Sequence, residues 1–131
     1  MATKKEIKDR LRALGLENEY GYRAEAKLIP ESLEAGEHLR AITSGIRESR
    51  RWFIILTEGR LLMLTKPTLG RPHLVAVQRD EVKGIEGHRG LLFGSLTVET
   101  AEGVYSFSNV LKKSLPHFLA EFNARTGLDG R

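Results

Sequence analysis

The 131-residue chain contains no cysteine, which excludes disulfide bonds and metal sites built from thiolates. Long apolar runs are also missing. The run in the most apolar part of the chain extends only from Trp52 to Leu56, whereas a membrane-spanning helix needs roughly 20 apolar residues. Near the N-terminus an amphipathic pattern takes the place of the apolar core of a signal peptide. We therefore predict a cytoplasmic protein without a transmembrane segment.

Patterns that carry catalysis or metal binding are absent as well. The histidines are His38, His73, His88 and His117. None lies three or four residues from another, and no His-Glu-x-x-His run exists, so metal binding is not expected. The nucleophile motif Gly-x-Ser-x-Gly is missing, and acidic residues fall at turns or on outward faces, where paired acid–base catalysis is not expected. We predict a protein that is not an enzyme and uses no cofactor or metal.

Positive charge is concentrated in the middle of the chain. The formal net charge is +4, and residues 47–89 contain nine Lys/Arg against five Asp/Glu, whereas the rest of the chain is neutral. This surplus indicates a surface for an acidic partner, with ordinary solubilising charge as the alternative. We do not expect nucleic-acid binding, because Trp52 and Phe53, the aromatics beside the arginines, belong to an apolar strand and are better explained as core.

The N-terminal part predicts a short helix over residues 4–14. Thr3 and Glu6 have the spacing of a capping box, Ile7 and Leu11 recur at helical spacing, and Gly15 ends the pattern. Such a short helix is marginal alone, so it has to dock on its own domain or on a neighbouring chain. Residues 17–29 lack periodicity and form a connector, and residues 30–34 suit one helical turn. We treat residues 1–29 as an N-terminal helical extension.

The segment from Arg51 to Lys66 predicts a tight β-hairpin, because two apolar, β-prone runs flank Glu58-Gly59. Both faces of this hairpin are apolar near the turn, so we expect both to be covered. The predicted pairs are Leu56–Leu61, Ile55–Leu62, Ile54–Met63, Phe53–Leu64, Trp52–Thr65 and Arg51–Lys66.

The remaining pattern predicts five more strands and a final helix. The strands are expected at residues 38–45, 73–78, 82–86, 93–100 and 104–109, with a polar loop at 47–51. Leu115, Phe118, Leu119 and Phe122 then recur at helical spacing after a Ser114 cap, and Gly127 ends the helix. Seven antiparallel strands and one apolar helix predict an α+β, mainly β fold in which the helix plugs a partly open barrel.

Four short motifs carry a family resemblance. They are Gly36-Glu37, Leu56-Thr57-x-x-Arg60-Leu61-Leu62, Gly94-x-Leu96-x-Val98-Glu99-Thr100 and Tyr105-x-Phe107-x-Asn109-Val110. Between about Leu28 and Asn123 the chain resembles the bacterial pleckstrin-homology-like (PH-like) domains, most closely the YokE-like type. The resemblance implies a seven-stranded, partly open β-barrel capped by the C-terminal helix. We place the PH-like domain at residues 30–127 and a disordered tail at 128–131. The family has no common catalytic residues.

An anion site is the first functional prediction. Eukaryotic relatives often bind phosphoinositides through basic residues of the first inter-strand loop, which the resemblance places at Arg47, Arg50 and Arg51. The predicted register sets Arg51 against Lys66, and Arg71 follows in the next loop. Like charges across a hairpin repel, and an anion among these guanidinium groups would remove the repulsion. The ligand would be a lipid head group or an acidic peptide; screening by Glu48 and solvent is the alternative.

A second anion candidate lies between two predicted strands. Gly87, His88, Arg89 and Gly90 could form a backbone nest for phosphate. The alternative is that these glycines permit tight turns or bulges.

Two classes of function therefore remain open. One is a non-enzymatic binding module for an anionic ligand on a lipid surface or an acidic protein. The other is a structural self-association domain, a homo-oligomer that uses the N-terminal helix and sheet surfaces. The second apolar face of the hairpin motivates the latter, although residues 1–29 folding back within one chain would cover that face equally well.

Overall fold

Seven antiparallel strands form one open sheet in the computed structural model, which describes residues 3–21, 23–67 and 69–129. The order across the sheet is β4-β3-β2-β1-β7-β6-β5, so β4 and β5 are its edges. The strands are β1 (Ala41–Arg47), β2 (Arg50–Leu56), β3 (Arg60–Thr65), β4 (His73–Gln78), β5 (Val82–Arg89), β6 (Gly94–Thr100) and β7 (Gly103–Val110). The mainly β, seven-stranded, partly open architecture predicted from the sequence is confirmed.

The helices frame this sheet at both ends of the chain. They are α1 (Lys4–Ala13), α2 (Glu17–Tyr20), a 3₁₀ turn (Ala24–Leu28), α3 (Ile29–Ser32) and α4 (Leu115–Asp129). Thr3 caps α1 as predicted, because its hydroxyl accepts the Glu6 amide at 3.1 Å. The connector at 17–29 is more helical than its lack of periodicity suggested, since tertiary packing supports turns too short to be stable alone. Tyr20 is buried there, and Tyr22 lies outside the described residues.

The β2–β3 hairpin has the predicted register. Phe53 pairs with Leu64, and the remaining pairs are Ile54–Met63, Ile55–Leu62 and Leu56–Leu61. The Arg51–Lys66 pair is wrong, because β3 ends at Thr65 and its ladder with β2 starts at Phe53. Arg51 is paired with Ile46 of β1 instead.

The β1–β2 connection is shorter than predicted. Strand β1 begins at Ala41 and continues to Arg47, and only Glu48 and Ser49 separate it from β2. Both turn residues have positive φ, 55° and 63°, as in the two-residue turns that match strand twist. The expected polar loop at 47–51 is therefore wrong. Glu and Ser are not residues typical of such a turn, so the sequence pattern indicated a longer loop.

Strand β5 and helix α4 are longer than predicted. Strand β5 runs to Arg89, beyond the expected end at residue 86, because β6 supplies partners from Gly84 through Arg89. Helix α4 continues through Gly127 to Asp129, so the predicted end at this glycine is wrong. A glycine inside a helix costs only about 1 kcal/mol, which is not enough to force termination. The tail predicted at 128–131 overlaps the end of α4, and residues 130 and 131 lie outside the described part.

Two apolar cores lie on opposite faces of the β2–β3 hairpin. One face, with Phe53 and Ile55, packs under the N-terminal helices through buried residues such as Leu11. The other face, with Ile54, packs inside the sheet against Phe118 of α4. The chain therefore covers the second apolar face by itself, through residues 3–33, and this face is not available for the predicted homo-oligomer contact.

Candidate functional site

The arginines of the β1–β2 turn do not form one cluster. Arg47 is paired directly with Arg50 across the turn, and strand alternation points Arg51 to the opposite face of the sheet from Arg50. The Arg47 guanidinium lies 5.0 Å from the centre of the Tyr105 ring and makes a 2.8 Å ion pair with Glu48. Glu48 therefore offsets the positive charge of Arg47, as the screening alternative predicted. The Arg47 side chain packs against the protein itself.

Arg51 forms part of the wall of an open cavity of about 260 Å³. Residues distant in the sequence contribute: Glu19 from α2, Arg23 from the connection that follows it, and Phe93 from the β5–β6 turn. Arg51 is half-buried, whereas Arg50 is exposed. Of the predicted site residues, only Arg51 contributes to this cavity.

A buried hydroxyl network supports the cavity from below. Ser44 donates to the Tyr20 phenol oxygen at 3.0 Å, and Tyr20 in turn lies 2.9 Å from the Ser114 hydroxyl. Ser114 is also 2.9 Å from the Thr43 hydroxyl. Burial raises the pKa of Tyr20, and the hydrogen bonds from Ser114 and Ser44 offset this only in part. The phenol therefore stays neutral and ties α2, β1 and the start of α4 together beside Arg51.

The backbone at the cavity rim includes an uncommon conformation. Asn109, near the end of β7, lines the cavity and has a φ of 51°. A non-glycine residue with positive φ is uncommon, although asparagine tolerates it best. Such positions are held by surrounding packing and cluster at ligand sites.

The charge of the cavity wall is positive. The acidic residue of the wall, Glu19, forms an ion pair with Lys113 at 3.1 Å. The guanidinium groups of Arg23 and Arg51 complete the charged part of the wall. An anionic group entering the cavity would therefore meet more positive than negative charge.

Lys66 and Arg71, the remaining members of the first predicted set, do not line this cavity. Both are exposed and lie in the connection between β3 and β4. The structure therefore separates the predicted set into Arg51 at the cavity, Arg47 on the aromatic side of the sheet, and surface charges.

The second predicted site takes a different form. Gly87, His88 and Arg89 belong to strand β5 and pair with β6, so they do not form the curved backbone of a phosphate nest. A Cβ at Gly87 would lie 2.8 Å from the Leu119 side chain of α4. This glycine therefore lets the Leu119 side chain of α4 pack closely over β5. Gly90 begins the β5–β6 turn, where its amide donates to the Phe93 carbonyl at 2.9 Å.

The β5–β6 turn presents a feature that the sequence reasoning missed. Leu91, Leu92 and Phe93, here called the apolar tip, are 92%, 76% and 51% exposed. The available signal was three apolar residues enclosed by Gly90 and Gly94, a pattern that places large side chains at the end of a hairpin.

The motifs that carry the family resemblance serve the fold. Arg60 donates to both carboxylate oxygens of Glu37, at 2.6 Å and 2.8 Å, and Thr57 donates to Glu37 at 2.7 Å. Desolvation pushes the pKa of Glu37 up, but the hydrogen bonds from Arg60, the Glu34 amide and Thr57 outweigh it and hold the pKa at about 2. These residues clamp the start of the sheet domain onto the β2–β3 turn.

Within residues 3–21, 23–67 and 69–129, no group of three or more His, Asp or Glu side chains is arranged to hold a metal ion. None of the helices in the same ranges is both long and apolar enough to span a membrane.

An open seven-stranded antiparallel sheet plugged by a C-terminal helix defines a PH-like binding or interaction module. A family model described as "Bacterial PH domain" matches residues 33–123. The chain therefore belongs to the bacterial PH domain family, as the sequence motifs predicted.

Two solved structures are similar to this chain at low sequence identity. The C-terminal domain of an unknown protein from Leishmania infantum is 19% identical, with a TM-score of 0.52 over 73% of this chain and 92% of that one. A DUF1696 family protein with a pleckstrin-homology domain from Shewanella loihica PV-4 is 14% identical, with a TM-score of 0.47 over 88% of this chain and 95% of that one. None of the curated proteins compared with the chain matches it.

Proposed function

We propose that this protein is a non-catalytic binding module that receives an anionic group in the cavity beside Arg51. The observation that carries the proposal is the position of this half-buried arginine in the wall of a cavity of about 260 Å³, with Arg23 in the same wall. The cavity has space for a phosphate- or carboxylate-sized group.

The chemistry of the wall favours an oxyanion. A guanidinium group presents its donors as a rigid planar fork that matches carboxylate and phosphate oxygens. Partial burial of Arg51 lowers the local dielectric and strengthens such a contact relative to one on an open surface. Ser44 and Asn109 also line the cavity and add neutral polar residues to its wall.

Two sources supply this chemistry, a lipid head group and an acidic peptide. We expect the full chain to bind inorganic phosphate or glycerol 3-phosphate weakly, followed by NMR chemical shifts at low salt. Arg51→Gln should reduce this affinity at least about fivefold, the order expected for one charge-assisted hydrogen bond. Raising the salt concentration should weaken binding further.

Arg50→Gln is the matched control, since it removes the neighbouring arginine, which is exposed and points to the other face of the sheet. Equal loss in both variants would assign the binding to diffuse surface charge and contradict the proposal. Titration with a glutamate-rich peptide, in parallel with the phosphate probes, separates the two sources.

Self-association, the other function predicted from the sequence, now lacks its motivation. The apolar face of the β2–β3 hairpin that would have needed a partner is covered by the N-terminal helices of the same chain. We therefore propose the anion-binding function ahead of it.

A further inference from the structure

The apolar tip is held away from the body of the protein. Leu91 and Leu92 are 92% and 76% exposed, although burial is the favourable state for such side chains. The β5–β6 ladder is regular from the pair Gly84–Glu99 to the pair Arg89–Gly94, directly below the tip. The Gly90 amide closes the turn onto the Phe93 carbonyl at 2.9 Å. The hairpin therefore presents these two leucines to solvent in a fixed shape.

Four basic residues lie near the base of the apolar tip. The Lys112 ammonium donates to the Leu91 carbonyl at 2.9 Å, and Arg89 is the last exposed residue of β5 before the turn. Phe93 lines the same cavity as Arg51 and Arg23. We call Arg23, Arg51, Arg89 and Lys112 the basic collar.

The size of the apolar tip limits what can cover it. A stable protein interface involves roughly 20–30 residues on each side, whereas the tip offers only three apolar side chains. A lipid bilayer requires no complementary pocket, and it accepts leucine and phenylalanine below a surface that attracts basic groups when the lipids are anionic. The combination of a small apolar tip and a basic collar therefore fits a bilayer surface better than a folded partner.

We propose that the apolar tip inserts into the surface of an anionic lipid bilayer while the basic collar contacts the lipid phosphates. The cavity beside Arg51 then receives one lipid head group; this last part rests on the proposed function, whereas insertion of the tip does not. The chain attaches to one leaflet through a hairpin end.

The first test is co-sedimentation of the full chain with vesicles of phosphatidylcholine containing phosphatidylglycerol, and with vesicles of phosphatidylcholine alone. We expect binding to the anionic vesicles that weakens as salt rises. A Leu91→Ser, Leu92→Ser double variant should lose about tenfold or more in affinity, because each leucine transferred from water to lipid contributes substantially to binding. Both side chains are exposed, so the fold should be retained, which thermal unfolding will verify.

Leu69→Ser is the matched control. Leu69 is 88% exposed and lies in the connection between β3 and β4. This substitution removes an equally exposed leucine elsewhere, so we expect vesicle affinity within about twofold of the unchanged chain. The tenfold loss expected for the double variant, which corresponds to about 1.4 kcal/mol, is well above this range.

A second test locates the insertion directly. The chain has no cysteine, so Leu91→Cys and Leu69→Cys each provide one site for an environment-sensitive fluorophore. On anionic vesicles the label at 91 should shift to shorter wavelength and be quenched by brominated acyl chains. The label at 69 should show neither effect.

The outcomes separate the two proposals. Equal vesicle binding by the unchanged chain and the Leu91/Leu92 double variant, or no quenching at position 91, would overturn insertion of the tip. If soluble phosphate still binds in an Arg51-dependent way, the proposed anion-binding function stands without it. If the tip inserts but phosphate does not bind, the anion-binding function is overturned and the insertion proposal stands. Concentration-dependent association without lipid that disappears in the double variant would assign the tip to a second copy of the chain and also overturn the membrane proposal.

Discussion

Glu37 is the residue on which two of the family motifs meet. Its side chain is 9% exposed and that of its partner Arg60 is 12% exposed. Arg60 also donates to the Ser32 carbonyl at 3.0 Å. A buried charge is tolerated only when such partners replace water. Glu58, in the same β2–β3 turn as Thr57, is similar: desolvation raises its pKa, but the His38 amide, its own amide, the His38 ring and the charge of Arg40 hold that pKa at about 2.

Glu37 and Glu58 make the stability of the folded protein depend on pH. Their pKa values are lowered from 4.5 in the unfolded chain to about 2 in the folded protein, so the unfolded state binds protons first as pH falls. The contribution to stability is therefore present above about pH 5 and is lost between that value and about pH 2. Urea unfolding at pH 7, 4 and 3 should show a falling free energy of unfolding, and Glu37→Gln should flatten this dependence.

The control for this prediction is Glu99→Gln, which alters an exposed carboxylate on β6. It should leave the slope with pH unchanged. A Glu37→Gln variant with the same pH dependence as the unchanged protein would show that the Arg60 pair does not stabilise the charged form.

At the scale of elements, the contact between β1 and β7 joins the two halves of the sheet. The ladder between them has a single registered pair, Ile46–Ser108. Gly45 lies against β7 so closely that a Cβ would be 2.7 Å from the Phe107 Cβ and 3.0 Å from a Val110 methyl group. The missing side chain therefore allows β1 and β7 to approach.

Gly45→Ala should accordingly destabilise the protein. Both contacts are with well-packed neighbours that cannot move freely, and overpacking of this kind costs typically about 1–3 kcal/mol. Gly59→Ala is the control, because a Cβ there meets nothing within 4 Å, and an exposed substitution of this type stays within about 0.5 kcal/mol. Chemical denaturation of the two variants measures the difference; equal stability would mean that β1 and β7 can separate without cost.

For the whole molecule, the N-terminal segment is part of the core although the family match begins only at residue 33. Ile7, Leu11 and Tyr20 pack on the face of the sheet that carries Phe53 and Ile55. The Tyr20 and Phe53 rings are 5.0 Å apart. Without this cover the sheet would expose a contiguous apolar surface, which folded monomers rarely tolerate.

Removing residues 1–27 should therefore make the protein aggregate, or unfold at a lower temperature than the full chain. Phe53 and Ile55 would change from fully buried to exposed, and burial of each is worth about 1.5–3 kcal/mol. Light scattering and thermal unfolding of the truncated and full chains provide the measurement. An equally soluble and equally stable truncated monomer would contradict the structural role of the segment.

Local patterns were sufficient for most of the fold. The position of the short Glu58-Gly59 turn between two apolar runs specified the β2–β3 register, because the loop length determines which residues of a hairpin face each other. The cap at Thr3 specified the start of α1 for a similar reason, because its partner is only three residues away. In both cases the interacting groups are neighbours in the chain, so the sequence contains the whole interaction.

Long-range packing decided the candidate site. The cavity brings together Arg23, Arg51 and Phe93, and the hydroxyl bond beneath it joins Tyr20 to Ser114. No periodicity connects residues so distant in sequence. The same holds for the N-terminal cover, which the sequence left open between the same chain and a partner. These features depend on which faces meet when the sheet curves and the helices dock. The free energy of this docking is determined by packing throughout the chain.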